Sequence, residues 1–192
     1  RRIPNPQTRS WNLLPICFAG QNVTEATGSV FLGFEAGNGV TTGSANIGIG
    51  LQTFNAMDTE ANNLAIGYSS MSGSVAGGEY NVAVGNYTLD ALTSGDNNTA
   101  IGYQSGYALV GGVEGSVLLG HRAGYGATSG GYNTFLGYAA GQNVTTGAGN
   151  VAIGKNAGPS STNTDSNKLY IHNAAGTPLI GGDFSAGTVT IN

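Results

Sequence analysis

The sequence predicts an all-β protein, a parallel β-solenoid of about eight coils of 17 residues. The first observation is a short phrase, Asn-Val-Ala-Ile-Gly at residues 150–154, whose variants recur along the chain. The second is the spacing, because successive copies lie 17 or 18 residues apart. The third is composition, with 34 glycines among 192 residues and no three-residue period of the collagen type. Repeats of this length stack as coils, each pairing with the coils before and after it.

Each repeat contains the same short strand followed by a glycine. An aliphatic residue precedes the glycine, and the aliphatic residue or threonine two positions earlier shares its face, because side chains alternate along a strand. The residue between them points the opposite way and is Ala in half of the coils. The glycines, which number the coils one to eight, are Gly33, Gly50, Gly67, Gly85, Gly102, Gly120, Gly137 and Gly154. Glycine in that place indicates a bend or a close neighbour that a Cβ would hinder.

Two further columns support the solenoid. An Asn or Ser precedes every strand, and stacked amides are expected to form a hydrogen-bonded ladder along the rod; the column is Ser29, Asn46, Asn63, Asn81, Asn98, Ser116, Asn133 and Asn150. Turn phrases such as Thr-Thr-Gly at 145–147 end most coils. Coils two to four have Phe54, Met71 and Leu89 where other coils have glycine, which predicts a thicker or locally helical rod there.

The ends of the chain depart from the repeat. Residues 1–11 contain two prolines and three arginines and predict an extended attachment arm, with a solvated end as the alternative. Residues 12–28 predict a degenerate coil that caps the open edge of the eight repeats at 29–158. Residues 159–166 are polar and predict a linker.

The C-terminal segment, residues 167–192, predicts three short strands. They are expected at Lys168–His172, Leu179–Gly181 and Thr188–Ile191. Two arrangements remain open: strands of three chains that interleave as a β-prism, or one small sheet per subunit that caps its own rod.

Composition excludes several functional classes. Only 8% of the residues are charged and the net charge is −4, which argues against nucleic acid, since phosphate binding needs clustered cations. No apolar run approaches the length that crosses a bilayer. His121 and His172 are isolated, so no metal site is expected, and no paired carboxylate, nucleophile or phosphate loop stands out. The chain is therefore predicted not to be an enzyme and to carry no cofactor.

A thin core predicts association. A coil of 17 residues encloses only about three or four apolar side chains, and small cross-sections bury a low fraction of their surface. We therefore expect a homotrimer of intertwined or side-by-side rods, with the Ala and Gly of the strand centres at the contacts between the three rods.

One column is a candidate binding surface. The residue after the glycine is aromatic or polar in most coils, and the candidate binding residues are Tyr68, Tyr103, His121 and Tyr138. Such rings can stack on sugars while their polar groups bond hydroxyls. In the alternative, the rings pack over the bend or across the trimer seam.

The repeat phrases also carry a family resemblance. Asn98–Gly106 and Asn150–Gly158 resemble the head repeats of trimeric autotransporter adhesins, which form a left-handed parallel β-roll, and resemble still more the Gly-rich repeats of bacteriophage tail fibres. Residues 167–192 resemble the segment that in such fibres precedes a self-cleaving chaperone of the endosialidase type. The resemblance implies a left-handed, trimeric rod on a virion tail or a cell surface.

The functional expectation has one leading class and two alternatives. The leading class is a structural and receptor-binding fibre of a phage tail or related surface appendage, whose partner is a host cell-surface glycan or protein. The alternative is a subunit of an extracellular filament or a surface adhesin, joined head-to-tail through residues 1–11. An ice-binding solenoid is disfavoured because Thr-x-Thr occurs only at Thr188 and Thr190, outside the repeats.

Overall fold

The computed structural model describes residues 18–73 and 78–192, which form eleven β-strands and contain no helix. Eight three-residue strands, one in each repeat, are Val30–Leu32 (β1), Ile47–Ile49 (β2), Leu64–Ile66 (β3), Val82–Val84 (β4), Thr99–Ile101 (β5), Val117–Leu119 (β6), Thr134–Leu136 (β7) and Val151–Ile153 (β8). Three four-residue strands follow: Lys168–Ile171 (β9), Ile180–Asp183 (β10) and Thr188–Ile191 (β11). All eleven form one sheet in sequence order, and β1 to β9 are parallel. The parallel β-solenoid of about eight coils is confirmed.

The glycine column is a column of bends in close contact. The eight glycines have φ from +119° at Gly154 to +142° at Gly33. A Cβ built on Gly102 would lie 2.4 Å from the carbonyl oxygen of Gly120, one coil further along. The strand therefore turns at a conformation that only glycine adopts readily, and the turn lies against the next coil.

The centres of the strands, and not their flanking residues, face the core. Phe31, Ala65 and Ala100 are fully buried within the single chain, whereas Ile101 is 43% exposed. The expectation that the Ala and Gly column lies between three rods is therefore wrong. The physical reason is that the other half of the same coil also points inward, which leaves room for only a small side chain in many coils.

Bulk alternates between the two halves of a coil. Where the strand centre is large, the residue six positions later is glycine, as in the pairs Phe31/Gly37, Leu118/Gly124 and Phe135/Gly141. In coils two to four the centre is small and that residue is large, in the pairs Gly48/Phe54, Ala65/Met71 and Ala83/Leu89. Coils five and eight have a small residue at both positions, Ala100/Gly106 and Ala152/Gly158. A Cβ on Gly141 would lie 2.4 Å from a ring carbon of Phe135. The expected helix in coils two to four is wrong, because Phe54, Met71 and Leu89 fill the core from a turn, with φ of 51°, 49° and 50°.

The asparagine column forms the expected ladder, mainly through the backbone of the next coil. Asn98 is fully buried; its Nδ2 donates to the carbonyl of Val113 (2.8 Å) and its Oδ1 accepts from the N–H of Ser116 (3.0 Å). The Ser116 hydroxyl oxygen accepts from the N–H of Asn133 (3.2 Å) in the same manner. The ladder satisfies backbone groups that burial would otherwise leave unpaired.

Both ends of the solenoid continue the stack. The arm at 1–11 and residues 12–17 lie outside the described residues. Gly20 donates its N–H to the carbonyl of Ala36 (2.8 Å), so residues 18–28 stack on the first coil. In the segment expected as a linker, Asn163 forms a parallel bridge with Val144. Residues 159–166 thus lie against the seventh coil and complete the eighth.

The C-terminal strands extend the same sheet. β9 pairs parallel with β8, and β10 and β11 follow as an antiparallel meander. Within the single chain, the three strands continue the sheet of the solenoid. Ile171, Ile180 and Ile191 lie opposite one another across the three strands.

An ion pair joins β9 to β10 and predicts acid sensitivity. The Lys168 ammonium lies 2.5 Å from Asp183 Oδ2, and the Ser185 hydroxyl and the Ala186 N–H donate to Oδ1. These bonds hold the pKa of Asp183 well below its usual range. A carboxyl group whose pKa is lowered by folding stabilises the folded state at every pH above the pKa that it has in the unfolded chain. This stabilisation is lost as pH falls from that value through the pKa of the folded state.

We expect the amides of β10 and β11 to lose hydrogen-exchange protection below about pH 4, while the central coils keep theirs. Exchange measured residue by residue, corrected for the intrinsic pH dependence, tests this. Asp183→Asn should show low protection already at neutral pH and little further change. Equal acid sensitivity of β10 in the variant and the wild type would contradict the assignment.

Candidate functional site

The outer side of the sheet is a predominantly apolar surface, here called the aliphatic face, in which two threonines are the polar members. Strand register places its members in two adjacent rows, one residue on each side of every strand centre. The face consists of Val30, Leu32, Ile47, Ile49, Leu64, Ile66, Val82, Val84, Thr99, Ile101, Val117, Leu119, Thr134, Leu136, Val151, Ile153, Leu169, Ile171, Ile180, Gly182, Val189 and Ile191. It contains no charged residue.

The aliphatic face is open to solvent in the single chain. Leu136 is 46% exposed, and exposure rises to 77% at Ile191 on the last strand. Eleven strands at a spacing of about 4.8 Å, each three residues wide at about 3.3 Å, give an area of roughly 480 Å². The largest apolar patch of an ordinary monomer covers roughly 300–600 Å² and is often functional, so the aliphatic face is a candidate interaction surface.

A stack of rings runs along the bend that borders the aliphatic face. This ring stack consists of Tyr68, Tyr87, Tyr103, His121 and Tyr138. His121 lies between Tyr103 (centroids 5.4 Å apart, planes at 21°) and Tyr138 (4.8 Å, 2°). Tyr87 contacts Tyr68 and Tyr103 edge-on, at 4.9 and 6.1 Å. The structure therefore brings all four candidate binding residues together.

Tyr87 was missed by the sequence analysis. In the fourth coil the position after the glycine is Asn86, whose Oδ1 accepts the N–H of Tyr68 (2.9 Å), and the tyrosine follows one residue later. The sequence did contain a signal: Tyr87 lies one position after a column that is aromatic in most coils. The hydrogen bond with the Tyr68 hydroxyl raises the pKa of Tyr87.

The ring stack limits how a ligand can be held. Both faces of His121 are covered by its neighbours, so a sugar ring cannot stack on it. Tyr103 and Tyr138 are 43% and 52% exposed. The rings pack on one another along the bend, and binding of a ligand to them remains a prediction.

The residue that follows His121 of the ring stack is a cation, Arg122, and was also missed. The Arg122 guanidinium carbon lies 4.0 Å from the centre of the Tyr125 ring, and Tyr125 stacks on Tyr107 (5.3 Å, 7°). Arg122 Nε is buried and has no hydrogen-bond partner among the described residues. The signal in the sequence was a tyrosine five positions after the glycine in two successive coils, with arginine only three residues before the second.

Hydroxyl groups line a further edge of the solenoid. Thr93 and Thr145 donate their hydroxyls to the carbonyls of Val110 (2.6 Å) and Asn163 (3.1 Å) in the following coil. These hydroxyls bridge successive coils. Asp58 and Val110 interrupt the column, so it is not the regular threonine array expected of an ice-binding surface.

Metal-binding clusters and membrane-spanning helices are both missing from residues 18–73 and 78–192. No group of three or more His, Cys, Asp or Glu side chains in these ranges is placed to hold a metal ion. No helix among them is long and apolar enough to span a membrane. Comparisons of the chain with protein-family models, curated proteins and solved structures found no match.

Proposed function

We propose that the chain is a structural and receptor-binding fibre protein of a phage tail or a related bacterial surface appendage, and that it works as a homotrimer. The observation that supports this proposal is the aliphatic face, which runs without a charge from β1 to β11. Three copies that turn this face toward a common axis would remove it from water, and the hydrophobic effect favours that arrangement. Such an assembly is located on a virion or a cell surface.

The architecture suits a stiff rod. Every coil is hydrogen-bonded to the next through the sheet and through the asparagine ladder. Because each coil contacts only its neighbours, the length of the rod follows from the number of repeats. The ring stack borders the proposed interface, and in a trimer it lies along the flank, where a host glycan or protein receptor would bind.

Two matched substitutions test the assembly. Ile101 on the aliphatic face and Val110 on another edge of the same coil are exposed to nearly the same extent, 43% and 46%. Wild type is expected to sediment at about three times the 19.2 kDa chain mass at micromolar concentration. Ile101→Lys should shift the protein to the monomer, since it places three like charges near the axis. Val110→Lys should leave the trimer intact.

Circular dichroism of both variants shows whether the solenoid is retained. A monomeric wild type, or equal dissociation by the two substitutions, would contradict the proposed interface. A stable dimer would retain the aliphatic face as the interface and refute the trimer.

A filament subunit is the second candidate function, and one observation favours it. β11 is the last strand of the sheet, carries no charge, and exposes Val189 by 68% and Ile191 by 77%. Free edges of this kind accept a further strand from another chain. Long polymers in the sedimentation experiment that disappear on deletion of residues 1–11 would support this candidate over the trimeric fibre.

A further inference from the structure

Charge is segregated between the edges of the solenoid. Six of the ten acidic residues lie eight to twelve positions after the glycine of their coil, at the turns before the next strand: Asp58, Glu60, Glu79, Asp96, Glu114 and Asp165. In coils five to eight, none lies within the seven positions that follow the glycine. Those positions hold His121, Arg122 and Lys155. Within the repeats, this acidic protein thus has one cationic stretch, which begins at His121 of the ring stack and ends one coil beyond Tyr138. The remaining cations are Lys168 and the three arginines of residues 1–11.

The charges of Arg122 and Lys155 are not neutralised by the fold. In the described part of the chain the one ion pair is Lys168–Asp183. Arg122 and Lys155 have no carboxylate partner there. Arg122 is held in place by stacking on Tyr125, which orients the guanidinium without neutralising it. Two positive charges without a carboxylate partner, one stacked on Tyr125 and the other one coil beyond Tyr138, point to an anionic ligand.

We infer that coils five to eight bind a carboxylated polysaccharide along the rod, through Arg122, Lys155 and the hydroxyls of Tyr103 and Tyr138. This inference rests on the proposed receptor-binding function and specifies its ligand. Phenol hydroxyls bond sugar hydroxyls, and the two cations bond carboxylates through charge-assisted hydrogen bonds.

The spacing favours a polymer with intermittent charge. Tyr103, His121, Tyr138 and Lys155 occupy the same position in four successive coils, so neighbouring groups are about 4.8 Å apart along the rod. Arg122 and Lys155 are two coils apart, roughly 10 Å. One neutral donor, Tyr138, therefore lies between the two cations, which suits a chain in which carboxylated and neutral sugars alternate. Nucleic acid, with a charge on every phosphate, requires a denser row of cations.

The binding experiment uses immobilised polysaccharides and biolayer interferometry at low salt. The carboxylated probes are hyaluronan, alginate, polygalacturonate and polysialic acid; dextran and carboxyl-reduced hyaluronan are the neutral controls. Wild type is expected to bind at least one carboxylated probe, to lose that binding as salt is raised, and to ignore the neutral polymers.

Substitutions then locate the site. Arg122→Gln and Lys155→Gln should each weaken binding to the carboxylated probe by roughly tenfold. The double variant should bind that probe no better than wild type binds dextran. Lys168→Gln removes the same charge at the C-terminal sheet and should bind like wild type. Arg122→Lys keeps the charge but loses the planar stack on Tyr125, and an intermediate affinity is expected.

Three results would overturn the inference: no binding to any of the four carboxylated probes, unchanged binding by the double variant, or equal binding to phosphatidylglycerol vesicles. The ring stack and both cations belong to one chain, so binding is scored whatever the oligomeric state. Sedimentation of the same samples separates the two proposals. A trimer without polysaccharide binding refutes this inference alone, and a monomer refutes the proposed assembly.

Discussion

Gly102→Ala should destabilise the solenoid by about 4 kcal/mol or more, one of the two largest effects expected from a single substitution. Gly102 has a φ of +131°, and an added Cβ would lie 2.4 Å from the carbonyl oxygen of Gly120. The atom it meets is backbone in the following coil, which cannot move without breaking the pairing of β5 with β6. No small shift of neighbouring atoms can therefore relieve the strain.

Gly112→Ala is the control in the same repeat. Gly112 also has a positive φ, +63°, but a Cβ there meets nothing within 4 Å. Its expected cost is about 1 kcal/mol, the usual penalty of a left-handed residue. Urea unfolding followed by circular dichroism gives both values. Similar losses for the two variants would show that conformation alone, and not contact with the next coil, explains the glycine column.

In the seventh coil, the large side chain can be moved from the strand centre, Phe135, to the turn position, Gly141. This exchange tests whether stability depends on the total volume packed in the coil or on which of the two positions is large. Phe135→Ala removes a fully buried ring and is expected to cost about 3–5 kcal/mol. Gly141→Leu alone should also destabilise, because a Cβ there overlaps the Phe135 ring at 2.4 Å. The double variant recreates the Ala83/Leu89 pair of the fourth coil. It should recover at least half of the stability that Phe135→Ala loses.

Leu89 shows that the conformation is compatible with leucine. Its φ is 50°, close to the 63° of Gly141. Thermal and urea unfolding of the two single variants and the double variant form a double-mutant cycle. A double variant that loses the sum of the two single losses would show that the two positions do not share one volume, and that the alternation of bulk is coincidental.

Only part of the candidate site could be predicted from the sequence. Tyr68, Tyr103, His121 and Tyr138 share one position of the repeat, so their alignment followed from the period alone. Tyr87 occupies the next position and enters the ring stack because Asn86 bonds to the backbone of Tyr68 instead. Side-chain choices of this kind depend on three-dimensional contacts between neighbouring coils, which no single repeat encodes.

The period, the strand, the glycine bend and the asparagine ladder were determined by the sequence itself. Each follows from the chemistry of one column: a backbone conformation that excludes a Cβ, or an amide that can reach the next coil. The direction in which each strand faces was decided only by the tertiary structure. Both sides of these strands are apolar, so alternation alone does not distinguish inside from outside. The residue six positions later decides the matter. Gly37 leaves room in the core for the Phe31 ring, and Phe54 fills the space beside Gly48. The strand centre therefore points inward, and the aliphatic face remains outside.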